Sequence, residues 1–499
     1  MKNKYFISTA IAYTNGEPHI GHALEFIQAD VLARYQRLLA KEVFFVTGTD
    51  ENALKNVQSA EKAGVEVHKF VEQHAEKFRK LTEVLNISNN DVIRTTEERH
   101  TKGAQKLWKA CKSEDIYKKA YKGLYCVGCE EFKTKKDLIE GVCPEHRVAP
   151  EEVEEENYFF KLSKYQDELL RLIESDELKI TPSSRKNETL EFIRGGLEDF
   201  SISRSRERAK NWGISVPGDD SQIQYVWFDA LTNYINALGY GDDDARFKEY
   251  WQNGYTAHLV GKGITRFHAI YLSAMLMSAG VALPKEIFVH GYVTVDGQKM
   301  SKTMGNVIDP FKVVEKYGVD VVRYFLLREI PSGEDGDFSY KKLEDRYNGD
   351  LANGLGNLVQ RTITLIDSSL GGELIYKPAM IEKEIKDKVD QLFKEYVKDL
   401  DSFLLHESLG RTWDLIGVAN KYLDDHKPWV SVKENPEKFL ATMNNVVFIL
   451  YNVAWMLTPF MPETANKIFT ILGANRDAET LENYKFLVQK SGGLFPRIS

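Results

Sequence analysis

Three short stretches carry residues whose types and spacing could do chemistry. His19-Ile-Gly-His22 sets two imidazoles three positions apart around a glycine. At a helix start, free amides and the positive dipole end favour an anion, and Gly21 has no side chain to obstruct a ligand at the backbone. The imidazoles of His19 and His22 can then donate to phosphate oxygens as negative charge develops. Lys299-Met-Ser-Lys-Thr303, with Gly305 close behind, flanks the Ser301 hydroxyl with the ammonium groups of Lys299 and Lys302. Such a pair clamps a triphosphate without a rigid cradle. Taken singly, the first stretch is more often chance or a metal half-site, and the second is usually plain surface. The third stretch joins Cys126-Val-Gly-Cys129 to Cys143-Pro-Glu-His146. Three thiolates and one imidazole on two short turns make a tetrahedral zinc set, and four protein ligands make it closed and structural. Its plain alternative is two unrelated surface turns. Cys111 lies outside the set and reads as a packed thiol. Four cysteines in this length do not make a disulfide framework.

The elements around these stretches must position them. Tyr5 to Tyr13 reads as a buried strand, followed by the loop Thr14 to Pro18. The helical pattern that comes next places Leu24, Ile27, Val31, Tyr35 and Leu38 on one face. Glu42 to Val46 is a second strand, ending at Thr47-Gly-Thr-Asp50, and a long helical stretch follows. Strand–helix–strand–helix order implies a parallel sheet, and ligands bind such sheets beyond the carboxyl ends of the strands. The loop after Tyr13 and Asp50 both fall there. From about Tyr117 the pattern breaks into turns, cysteines and the acidic run Glu151–Glu156, an insertion into the sheet domain. Sheet-like segments resume at Tyr225–Trp227, His258–Val260 and Ile287–His290, and Val293 to Lys299 carries the Asp-Gly turn of a hairpin. From about Leu351 the periodicity is helical, which predicts an all-helical final domain.

Composition bounds the rest. A chain of 499 residues is expected to form two to four domains. With 43% hydrophobic and 28% charged residues it has the balance of a globular protein. No uninterrupted apolar run reaches the roughly 18 residues of a membrane span, and no leader precedes the first strand, so the expected compartment is the cytosol. The net charge of −8 does not suggest a nucleic-acid partner by itself. RNA contact would need local clusters such as Arg204, Arg206, Arg208 and Lys210, or Lys341, Lys342 and Arg346, each of which also reads as a solvated face.

Read together, the first two motifs resemble the hallmarks of class I aminoacyl-tRNA synthetases, His-Ile-Gly-His and Lys-Met-Ser-Lys-Ser. The first is intact here, and the second ends in Thr303, which keeps a hydroxyl. Further segments, nearly end to end, narrow the resemblance to the methionyl-tRNA synthetase family: Ala10-Ile-Ala-Tyr13, Gly48-Thr-Asp-Glu51, Tyr225-Val-Trp-Phe-Asp-Ala230 and Gly261-Lys-Gly-Ile-Thr-Arg-Phe-His268. The resemblance implies a methionine pocket of Ile11, Tyr13, Trp227, Ala230, Leu231, Tyr234, Ile264 and His268, with Asp50 receiving the substrate ammonium. A polarizable, unbranched thioether suits an aromatic and aliphatic slot. ATP would be held by His19, Gly21, His22, Lys299, Ser301 and Lys302. Asn52 departs from the pattern, standing where the family commonly has histidine. Relatives specific for isoleucine, valine and leucine carry a large editing insertion, because small apolar side chains are discriminated weakly; the room between Tyr117 and Gln224 is too small for one.

The resemblance also implies partners and layout. Asn357 and Arg361, four apart on a helix, and Trp429 match the family's anticodon-reading residues. L-methionine, ATP and tRNA(Met), initiator and elongator, are the expected partners, Mg²⁺ the expected companion of ATP, and one structural zinc the expected metal. The ending at Leu494-Phe-Pro-Arg-Ile498 resembles the close of the family's helical domain and predicts a monomer without membrane contact. The predicted fold class is α/β, with a Rossmann-like parallel-sheet catalytic domain in two halves, 1–117 and 225–325. A zinc-knuckle insertion occupies 118–224, a linking segment 326–350 and an all-α anticodon-binding bundle 351–499. The predicted activity is methionine–tRNA ligation. A nucleotidylyltransferase sharing the imidazole motif leaves the helical third and the cysteines unexplained, and a degenerate scaffold protein would have lost a motif residue.

Overall fold

The computed structural model describes residues 3–128, 131–133, 137–144, 147–300, 305–475, 484–489 and 492–496. These form two compact units, divided between His290 and Gly291.

The first unit is built on β-branched and aromatic runs that bury both faces, as parallel strands require. Strand β1 (Lys4–Tyr13) feeds helix α1 (Ile20–Leu38), and β2 (Glu42–Asp50) follows. The chain then adds β3 (Asp91–Arg94), β4 (Lys179–Thr181), β5 (Tyr255–Gly261) and β6 (Glu286–His290). Together they make one sheet in the order β3-β2-β1-β5-β6-β4, every described pair parallel. Helix α1 is buried at Leu24, Ile27, Val31 and Tyr35, as its spacing predicts, but also at Gln28 and Asp30. Asp30 is tolerated inside because Arg34 and the amide and hydroxyl of Ser88 satisfy it. The predicted second strand runs further than expected, through Gly48 to Asp50.

The stretch after Tyr117 differs from a single insertion. Ile116–Cys126, Glu131–Lys133, Glu151–Phe160 and Phe200–Ser201 form a separate antiparallel sheet. The acidic run lies on its Glu151–Phe160 strand, where Lys122 stands opposite Glu154. Between these strands the chain returns to the main sheet, where β4 pairs with β6. Tyr225–Trp227 is not a strand. Tyr225 caps a short helix, Val226–Ala230, which Asn233–Ala237 follows. Its apolar run has the composition of a buried strand, and a run this short does not distinguish the two.

The second unit opens with the expected hairpin. Val293–Val295 pairs with Gln298–Lys299 through Asp296 and Gly297, both at positive φ, the conformation of a two-residue turn. Helices then dominate, from Pro310–Tyr317 and Val319–Glu329 to Asn357–Leu370, Lys383–Asp401, Leu405–His426, Pro436–Leu457 and Pro462–Leu472. A small strand pair, Glu373–Ile375 with Lys485–Leu487, interrupts the all-helical expectation. Helix Pro436–Leu457 is long and apolar enough to cross a bilayer, yet 72% of its most apolar window is buried in this unit. Asn444 and Asn445 on it accept the backbone amides of Lys377 and Glu382. It is a core helix of the bundle.

Candidate active site

Parallel pairing brings the first pocket residues side by side. Tyr13 is opposite Asp50 and Ile11 opposite Gly48 in the β1–β2 register, so all sit at the carboxyl ends of adjacent strands. The Asp50 loop is bolted in place. Asn56 donates to the Asp50 carbonyl (2.9 Å), Trp212 Nε1 to the Glu51 carbonyl (2.7 Å), and Thr95 Oγ1 accepts the Glu51 amide (2.8 Å). The fully buried Glu51 carboxylate takes two bonds from Arg94 and one each from Thr49 and Thr96. A buried charge this well satisfied fixes geometry rather than adding net stability.

At the start of α1 the two histidines cap the helix reciprocally. The Gly21 amide donates to His19 Nδ1, and the His19 amide donates to His22 Nδ1, both at 3.1 Å. The rings stack with centroids 3.8 Å apart, and Phe78 meets His22 edge-on. An Nδ1 that accepts a backbone N–H carries no proton, so each neutral imidazole bears its hydrogen on Nε2. Burial, then His19, then His290 hold the His22 pKa well below its ordinary value, which keeps it neutral. The expected role of the Gly21 amide changes accordingly. It is engaged by His19, and the donors that the two rings carry are their Nε2–H groups.

The remaining residues predicted for the pocket lie on or beside the short helical segments Val226–Ala230, Asn233–Ala237, Lys262–Ile264 and Phe267–Leu272. Trp227 stacks on Phe267 at 3.9 Å, nearly parallel, and Tyr13 meets Trp227 edge-on at 6.4 Å. Leu231 and Tyr234 are buried in the same core cluster, against which Ile11, Tyr13 and Ile264 pack partly buried, and Ala230 is buried as well. His268 Nδ1–H donates to the Ile264 carbonyl (2.9 Å), so its Nε2 is an acceptor and the Tyr234 hydroxyl donates to it (2.6 Å). Burial lowers the His268 pKa to about 4 and raises that of Tyr234, so both are neutral. Lys55 lies over the Tyr13 ring, 3.0 Å from its centroid.

Several residues at this site carried no sequence signal. His258, inside β5, meets Ser8 Oγ through Nδ1 at 2.6 Å and lies beside the Tyr234 ring. Glu25 on α1 accepts the Ala10 amide and pairs with His290 Nε2 at 3.0 Å. Asp229 is buried between Asn52 and His100. Each stands in an apolar or mixed run where nothing but the fold marks it.

The other predicted sites lie on separate elements. Cys126 and Cys143 are buried, and neither is in a disulfide. The Arg147 amide closes on the Cys143 carbonyl (2.7 Å) and the Cys143 amide on Val148 (2.9 Å), with Arg147 at positive φ. Two sequestered thiols, one in a tight turn, fit thiolate ligands, while Cys129 and His146 lie outside the described residues. Cys111 is a packed thiol as expected, its pKa pushed up to about 12 by burial. In the second unit Lys299 ends the hairpin, and Ser301, Lys302 and Thr303 lie outside the described residues. Asn357 begins helix Asn357–Leu370 and is exposed. One turn on, Arg361 pairs with Asp424 (2.7 Å) and lies over the Trp429 ring, which is 45% exposed. Helix Leu405–His426 ends at Lys427, in the left-handed conformation, and Pro428 starts the next helix, which sets Trp429 on its first turn.

The basic clusters considered for RNA are not free surfaces. Arg204 is buried over the Tyr125, Phe132 and Tyr225 rings, while Arg206, Arg208 and Lys210 bond Asp220, Glu151 and Glu61. Lys342 and Arg346 pair with Glu329. Burial takes Arg204 away from a phosphate backbone, while surface ion pairs only weakly offset the charge of the others.

A parallel sheet with capping imidazoles and a carboxylate at its strand ends, together with a helical unit that presents an exposed tryptophan, defines a class I aminoacyl-tRNA synthetase. A family model described as class I tRNA synthetases (M) matches residues 5–151 and 146–363, and the anticodon-binding domain of methionyl-tRNA ligase matches 376–492. A methionine–tRNA ligase of Brucella melitensis is 45% identical over 95% of this chain and 93% of its own. That of Thermotoga maritima is 43% identical over 97% and 78%. The solved Mycobacterium tuberculosis methionyl-tRNA synthetase in complex with methionyl-adenylate superposes with a TM-score of 0.93, 38% identical, each chain fully covered. The chain belongs to the methionyl-tRNA synthetase family.

Proposed function

We propose that the chain activates L-methionine with ATP and transfers it to the 3′-terminal adenosine of tRNA(Met). A methionine carboxylate oxygen bonds to the α-phosphorus while the bond to the bridging β-oxygen breaks, releasing pyrophosphate. The terminal 2′-hydroxyl of the tRNA then attacks the acyl carbon, releasing AMP and a proton. The protein contributes position and charge rather than a covalent intermediate. Asp50 receives the ammonium. Ile11, Tyr13, Trp227, Ala230, Leu231 and Ile264 enclose the side chain, and the hydroxyl of Tyr234, oriented by His268, faces it. The Nε2–H groups of His19 and His22 serve the phosphates, and Lys299 and Lys302 the leaving pyrophosphate. Mg²⁺ brought by ATP would supply neutralisation of phosphate charge. Cys126, Cys129, Cys143 and His146 would hold a zinc ion, whose part would be structural and outside the reaction steps. Asn357, Arg361 and Trp429 read the anticodon, Trp429 by stacking. The enzyme works as a monomer in the cytosol.

The observation that carries this reading is the reciprocal cap. It engages both Nδ1 atoms, so the hydrogens of both neutral imidazoles sit on Nε2, at the sheet end that also holds Asp50. Amino-acid-dependent ATP–pyrophosphate exchange tests it. Methionine is expected to drive exchange better than any other amino acid, and better exchange with another would overturn the assignment.

A further inference from the structure

Asn52, the departure from the family pattern, ties two walls of the pocket together. Its Nδ2 donates to the Thr95 carbonyl at 3.1 Å and to Asp229 Oδ2 at 3.2 Å. Asn52 stands two residues after Asp50, in the loop that receives the ammonium. Asp229 is the fourth residue of helix Val226–Ala230, which carries Trp227 and Ala230. The bond therefore spans from the polar end of the substrate site to its apolar wall. We propose that Asn52 and Asp229 are a positioning pair, setting the spacing between the Asp50 carboxylate and the Trp227–Ala230–Leu231 wall, and so the affinity for methionine. The inference rests on the pocket assignment above.

The chemistry around Asp229 supports a tuned contact rather than filler. Its carboxyl is fully buried, and Oδ1 has no hydrogen-bond partner among the described residues. The imidazole of His100 is the facing titratable group, with Nε2 3.8 Å from Oδ1, too far to bond. Asn236 donates to His100 Nδ1 (3.3 Å), which puts the His100 proton on Nε2. On the loop side the charged neighbours of Asn52 are Asp50 and Glu51, the latter consumed by Arg94. Burial raises the Asp229 pKa well above its ordinary value and lowers that of His100 to about 3, so the two are neutral and Asn52 supplies the directed bond. A carboxyl at 229 needs one good donor from 52, and an amide or an imidazole can supply it.

Exchange kinetics at several pH values, with thermal unfolding as a folding control, test the pair. Asn52→Ala is expected to raise KM for methionine about tenfold while KM for ATP stays within twofold. Asp229→Asn keeps an acceptor and is expected to stay within threefold of the unmodified enzyme for both substrates. Asn52→Asp sets two carboxyls against one another, so its KM for methionine is expected to climb at least fivefold between pH 6.5 and 8.5, as the shared proton leaves. The unmodified enzyme lacks that rise. Equal changes in both KM values, an unchanged KM in Asn52→Ala, or a flat profile in Asn52→Asp would each overturn the pair. The constants are measured for whichever amino acid the unmodified enzyme prefers, so a wrong substrate assignment is distinguished from a wrong pair.

Discussion

At the scale of single residues, hydrogen-bond bookkeeping decides what each imidazole can do. His19 and His22 are equivalent in sequence terms, and each spends its Nδ1 on the helix cap and carries its hydrogen on Nε2. His268 has the opposite tautomer, because the Ile264 carbonyl takes its Nδ1–H. His22→Ala is therefore expected to slow methionine-dependent pyrophosphate exchange by about 10²–10³-fold, the cost of one transition-state donor, with tRNA affinity unchanged in a filter-binding assay. Trp429→Ala should do the reverse. Losing a stacking platform costs about 1–3 kcal/mol, a five- to 150-fold weaker Kd for tRNA(Met), while exchange without tRNA is unaffected. Comparable losses of both activities in either variant would contradict the separation of chemistry from anticodon reading. The motif residues were legible in the sequence because their types are unusual together. Glu25, His258, Asp229 and His290 were not, since a lone polar residue in a strand or helix gives no sign of which partner the fold will bring.

At the scale of elements, the end of β2 depends on a close approach. A Cβ added at Gly48 would stand 2.1 Å from the Ile93 carbonyl of β3 and 3.0 Å from the Ile11 side chain of β1. Backbone cannot yield there without breaking the sheet, so Gly48→Ala is expected to give insoluble protein or a melting temperature lower by 10 °C or more, read by circular dichroism. A variant that melts normally would show that the register is looser than the pairing implies. Strand β1 and helix α1 could be read from periodicity. The short helix at Val226–Ala230 could not, because five residues carry too little pattern to distinguish a helical turn from a buried strand. The return of the chain to the sheet at Lys179–Thr181 was also hidden, since three residues of strand resemble loop until their neighbour is known.

At the scale of the whole molecule, buried histidines make stability depend on acidity. His22, His100, His258 and His268 all have pKa values depressed, first by burial. An unfolded histidine titrates near 6.5, so below that pH the unfolded chain binds protons that these folded imidazoles refuse, and stability falls with acid. Asp229 works the other way. Its raised pKa keeps a proton in the folded state, a contribution full at low pH and lost as pH rises. His406, also lowered first by burial, joins the histidines, and Asp320, also raised by burial, joins Asp229. Five groups therefore outweigh two between pH 6.5 and about 4, and each unmatched proton changes stability by about 1.4 kcal/mol per pH unit. The melting temperature is expected to drop as pH is lowered from 7 to 5, and a flat or rising profile in scanning calorimetry would refute this balance.

The sequence alone determined the chemistry on offer and its class: imidazoles at a helix start, lysines after a hairpin, a carboxylate at a strand end, thiols on turns. It could do so because local spacing fixes which groups share an element. The tertiary structure decided which of those groups are available, burying Arg204 among aromatic rings and setting Asn52 against Asp229. Those outcomes depend on contacts between residues tens to hundreds of positions apart, and no local pattern encodes the desolvation and pairing that follow when distant segments meet.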